Sequence, residues 1–129
     1  MKLIDQFYKY IDVPRKNRKS TSEKVEDDYI IVSFIENETK YKISLVFYNN
    51  DIDVEIYIQA ELNNYYDELA TFKKLNRLNC DYDYKFIIDE NHIIVKSLVN
   101  ANKKILPVME KLDALLELTK EEFSKIMED

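Results

Sequence analysis

The chain has 129 residues, 46% of them apolar and 34% charged, with a net charge of −6; at roughly 100–200 residues per domain this is one globular domain. It contains no glycine, one cysteine and one histidine. These counts exclude phosphate-cradling glycine loops, a G-x-S-x-G nucleophile elbow, a disulfide framework and a histidine-rich metal centre.

Residues 2–11 carry Leu3, Ile4, Phe7, Tyr8 and Ile11 at helical spacing, with Pro14 as a stop, and predict a short helix. Asp5, Gln6, Lys9 and Asp12 interrupt the apolar run, so the segment does not read as a secretory signal. The longest uncharged apolar stretch, Tyr29 to Ile35, is seven residues, against about 18 for a membrane span. A cytoplasmic location and a reduced Cys80 are the corresponding expectations. Residues 14–24 are polar and serine-containing and predict a mobile loop. Arg15, Lys16, Arg18, Lys19 and Lys24 against Glu23 give it a local charge of +4, which leaves −10 on the rest of the chain. An acidic body repels a phosphate backbone, so nucleic acid is a poor partner. The basic loop reads as a solvated linker or as a contact for an acidic protein surface.

Three runs of period two follow, at about 28–36, 39–48 and 52–60. The first is apolar on both parities. The second places Tyr41, Ile43, Leu45 and Phe47 on one face and Lys42, Ser44, Val46 and Tyr48 on the other. The third sets Ile52, Val54, Ile56 and Ile58 inside and Asp53, Glu55, Tyr57 and Gln59 outside. With glycine absent, Asn37, Asn49-Asn50 and Asn91 mark the turns, since asparagine best tolerates positive φ. Residues 62–79 return to helical spacing through Leu62, Tyr65, Leu69, Phe72 and Leu75; strands at 82–89 and 92–99 follow. A last helix runs from 103–106 to 127 along Ile105, Met109, Leu112, Leu116, Phe123 and Met127. Pro107 belongs in its first turn, and the capping-box pattern Thr119-Lys120-Glu121-Glu122 marks a point where it could restart. The order α-β-β-β-α-β-β-α predicts a single α+β domain, an antiparallel sheet packed by helices.

That order resembles the type III secretion chaperone-like superfamily, in particular its small bacterial YbjN-type branch. The likeness in wording lies in Thr71-Phe72-Lys73-Lys74-Leu75-Asn76-Arg77-Leu78-Asn79, similar to the family's helix with an L-N-x-L-N ending. Tyr84 to Glu90 resembles its strand running into an acidic turn, His92 to Val99 the returning strand, and Pro107 to Leu118 the closing helix. The join Asn100 to Lys104 departs from the family's usual glycine or proline. The resemblance implies a secretion-chaperone-like fold and a non-enzymatic protein-binding module without cofactor, often a homodimer, that holds a partner chain against its sheet.

Several clusters invite chemistry and have simpler readings. Asp89, Glu90 and His92 surround one turn and could ligate a divalent ion, but a mobile polar hairpin tip lacks the support that a metal site needs. Asp81 with Asp83, and Asp53 with Glu55, sit at i and i+2 on strands, as a carboxylate pair would. Solvated charges sit there too, and nothing in the pattern separates their pKa values. Cys80 with His92 suggests a thiol nucleophile, yet no cation stands nearer in sequence than Arg77, and a free cysteine is ordinarily a packing residue. No catalytic, cofactor or metal residue is therefore assigned. The ten tyrosines are the compositional excess. Tyr57 faces outward among charges, Tyr48 and Val46 stand beside it, and Ile87, Ile94 and Leu98 repeat the pattern on the second hairpin. This strip is either covered by a helix of the chain or a partner-binding surface. The functional expectation is a chaperone- or adaptor-like module that binds another protein through its sheet face; the alternative is a small acidic inhibitor or immunity protein.

Overall fold

The computed structural model describes residues 2–11, 19–36, 39–61, 68–81, 85–89 and 92–127. In chain order the elements are α1 (Leu3–Ile11), β1 (Lys19–Glu26), β2 (Tyr29–Glu36), β3 (Thr39–Tyr48), β4 (Asp53–Glu61), α2 (Glu68–Asp81), β5 (Lys85–Asp89), β6 (His92–Asn100) and α3 (Ile105–Met127). The strands form one antiparallel sheet in the order β1-β2-β3-β4-β6-β5. The fold is the expected α+β domain, with a short helix at its start and a long helix packed on the sheet.

Alternation sorts the side chains by face. Ile30, Val32 and Phe34 stand opposite Leu45, Ile43 and Tyr41, which in turn stand opposite Ile56, Ile58 and Ala60. Ile58 and Ala60 continue to Val95 and Ile93 of β6, then to Phe86 and Ile88 of β5. All of these are buried except Ile88, which is partly so. Each fully buried aliphatic or aromatic side chain contributes about 1.5–3 kcal/mol. The cover comes from Val108, Leu112, Leu115 and Leu116 of α3 and from Leu3, Ile4 and Phe7 of α1, which join the same core. Helix α2 lies against β5 and sends Leu75 into that core.

The loop expected at 14–24 requires correction. Residues 14–18 lie outside the described residues, but 19–24 belong to β1, which pairs with β2 from Lys19↔Ile35 to Lys24↔Ile30. Ladder hydrogen bonds to β2 hold a segment that has too few apolar residues to reveal itself as a strand. The element order thus gains one strand over the expected order. Ile52, expected inside, is exposed, because it belongs to the turn before β4; Ala60 completes the inner set instead. Asp81 closes α2 and is not a strand residue. Residues 62–67 and 82–84, expected in helix and strand, lie outside the described residues, as do Asn37, Asn91, Glu90 and Asp83. Helix α3 begins at Ile105, with Pro107 in its first turn, and runs unbroken through Thr119. The Thr119 hydroxyl donates to the Leu115 carbonyl at 2.6 Å inside the helix, so it caps no new one.

Two turns meet at one end of the sheet. Asn49, Asn50 and Asp51 after β3, and Asn102 and Lys103 before α3, have positive φ. The Ile52 carbonyl accepts from the Ala101 and Asn102 amides at 2.7 and 3.0 Å, and the Asp51 carbonyl accepts from the Lys103 amide at 2.7 Å. The Asp51 carboxylate accepts from the Leu3 amide at 3.0 Å, satisfying one of the unpaired donors at the start of α1. The β3–β4 turn therefore anchors both the first helix and the entry to the last.

Candidate functional site

The face of the sheet opposite α1 and α3 has no cover among the described residues. The register brings its side chains into rows across the strands. Tyr29, Val46, Glu55 and Leu98 form one row; Ile31, Ser44, Tyr57, Lys96 and Lys85 form the next; Ser33, Lys42, Gln59, Ile94 and Ile87 form a third. All six residues expected at a partner-binding strip, Tyr57, Tyr48, Val46, Ile87, Ile94 and Leu98, thus lie on this one face. Tyr48 is 42%, Ile87 46% and Leu98 62% exposed, whereas Val46, Tyr57 and Ile94 are half-buried by their neighbours. Ile35 of β2, 48% exposed, belongs to the same face and escaped the sequence reading; the apolar residues on both parities of β2 were its signal.

The centre of the face is polar but organised. The Lys96 ammonium lies 3.1 Å from the Glu55 carboxylate and 5.5 Å from the centroid of the Tyr57 ring. The Tyr48 phenol is hydrogen-bonded to Glu55, and its pKa stands above the ordinary 10.0, through desolvation first and the Glu55 charge second. Ser44, directly opposite Tyr57, is small and buried beneath its neighbours, so the surface dips beside the tyrosine ring.

Among the described residues no three His, Cys, Asp or Glu side chains come together to hold a metal ion. Asp89 and His92 are paired across the β5–β6 ladder, and Glu61 is His92's partner on β4. Cys80 lies in the last turn of α2. Asp53 and Glu55 do share a face, but Asp53 accepts from the Asn49 carboxamide at 2.9 Å and Glu55 serves Lys96. Of the basic residues, Arg15, Lys16 and Arg18 lie outside the described residues, and Lys19 opens β1. An open depression of about 830 Å³ lies by the β3–β4 turn, between Lys2, Asp27, Asp28, Tyr48, Asp51 and Lys103; neither cysteine nor histidine lines it. No helix among the described residues is long and apolar enough to cross a membrane. No family model, curated protein or solved structure gives a significant match to the chain.

Proposed function

We propose that the protein is a non-enzymatic, chaperone- or adaptor-like module of the cytoplasm that engages another protein through its open sheet face. One observation carries this reading. Of the six large hydrophobic residues exposed among the described residues, four (Ile35, Tyr48, Ile87 and Leu98) lie on that face. Apolar side chains gathered on an uncovered surface are the ordinary mark of an interface, and a half-buried tyrosine supplies contact area at low rotamer cost. The sheet edges favour the face over strand addition. Asn79 occupies the outer edge of β5 at Phe86. At the other edge, β1 has a register shift between Lys24 and Glu26, a feature that blunts edge pairing. The resemblance to secretion chaperones points to the same mode of action.

A second reading has its own observation. Glu110, Asp113, Glu117 and Glu121, all exposed, recur at helical spacing along α3, as an acidic inhibitor of a basic enzyme would require. Photo-crosslinking separates the two. A crosslinker at position 57 should capture a specific partner in the native cell, and one at position 117 should not. Tyr57→Ala should weaken that association by about 1–2 kcal/mol while leaving the denaturant midpoint nearly unchanged. Capture only from position 117, or a large stability loss with binding intact, replaces the sheet-face reading.

A further inference from the structure

We infer that the partner segment is acidic: an extended stretch of another protein in which carboxylates and apolar side chains alternate, laid over β3, β4, β6 and β5. This deepens the docking-face reading and rests on it. The two central rows of the face from β3 to β5 hold Ser44, Tyr57, Lys96 and Lys85, then Lys42, Gln59, Ile94 and Ile87. They contain three lysines and no acid, while the acids of β4 on this face stand in the flanking rows, Asp53 and Glu55 on one side and Glu61 on the other. Lys85 and Lys96 stand directly opposite each other, an arrangement that destabilises a ladder and that an anion placed between them would relieve. Glu55 balances Lys96 at 3.1 Å from the side away from β5. Lys42, exposed, has Ser33 and Gln59 as its cross-strand neighbours.

The spacing defines the complement. Strands about 4.8 Å apart and same-face residues nearly 7 Å apart along a strand put Lys42 about 14 Å from the Lys85–Lys96 pair. About four residues of extended chain cover that distance. Carboxylates at i and i+4 of the partner fall on one side of an extended segment, and the residue at i+2 on that side falls between the two rows, over Tyr57 and Gln59 of β4 and beside Ile94 of β6. An apolar side chain is the match there. The predicted element is therefore acid, apolar, acid at alternate positions.

The test measures fluorescence anisotropy of a labelled peptide repeating Glu-Ser-Leu-Ser, added to the intact chain, beside a peptide with Lys in place of Glu and a labelled oligothymidylate. The acidic peptide should bind, and its affinity should fall about tenfold between roughly 50 and 500 mM salt. It should be lost in the Lys42→Glu/Lys85→Glu variant and reduced in Lys42→Gln/Lys85→Gln, with circular dichroism unchanged in both. The charge-reversed variant should bind the lysine peptide instead. Equal binding of both peptides to the unmodified chain overturns the acidic assignment while leaving the docking face in place. Preference for the oligothymidylate, concentration-dependent self-association without peptide binding, or no binding at all overturns the inference. The crosslinking result at position 57 is read separately and decides whether the face itself is at fault.

Discussion

The carboxamide of Asn79 holds both backbone groups of Phe86: its Nδ2 donates to the Phe86 carbonyl at 2.9 Å, and the Phe86 amide donates to its Oδ1 at 2.6 Å. One side chain from α2 therefore does at the edge of β5 what a neighbouring strand would do. It ties the helix to the sheet and closes two positions where another chain could add. Asn79→Ala removes both bonds from a partly buried site, at about 0.5–1.5 kcal/mol each. A urea melt should show the combined loss, and light scattering should show a greater tendency to self-associate through the opened edge. Unchanged stability would mean that α2 is held by Leu75 and its apolar neighbours alone.

Among the described residues five have positive φ, and of these Lys103 alone is neither asparagine nor aspartate. An L-residue in this region suffers a clash of its Cβ with the backbone, at roughly 1–2 kcal/mol. Lys103→Gly relieves it, offset by about 0.5–1 kcal/mol of extra chain entropy in the unfolded state. The expected result is a gain of up to about 1 kcal/mol at Lys103 and a smaller gain for Asn102→Gly, since asparagine tolerates the region better. Lys103→Val should destabilise. Denaturant midpoints of the three variants give the comparison.

Tyr48 supplies a pH dependence. Desolvation is the main cause of its raised pKa; the Glu55 carboxylate adds to it by charge and hydrogen bond, Asp28 adds further, and Lys96 opposes. In the unfolded chain the phenol ionises at about 10, so above that pH the folded state retains the proton longer. The associated stability is therefore complete below the unfolded value and is lost as pH rises toward the folded one. Phenolate absorbance, taken as the difference between the native chain and Tyr48→Phe, should titrate above 10.0. Glu55→Gln should move it down and flatten the alkaline loss of stability. A titration unaffected by Glu55→Gln would assign the whole shift to desolvation.

Much of this architecture was legible in the residues because burial has a period. Ile43, Leu45 and Phe47, or Val54, Ile56 and Ile58, declare a strand and its inner face at once, and Asn49-Asn50 declares a turn that a chain without glycine must build. The helical stripe of α3 through Leu112 and Leu116 is local in the same sense. Strand β1 was not legible. Its sequence, KSTSEKVE, has one apolar residue, and only the ladder to β2 makes it extended. That bonding depends on a partner strand and leaves no pattern in the side chains.

The six strip residues could be placed on one parity from sequence, because a strand alternates regardless of its surroundings. Whether that parity is covered could not, since both faces carry apolar residues. Local periodicity determined the strands, the helices and the two faces. Only the tertiary structure decided which face α1 and α3 cover and which order the strands take. It also set Lys85 against Lys96 and Asn79 against Phe86, because contacts between residues distant in the chain follow from packing the elements together, which no single element encodes.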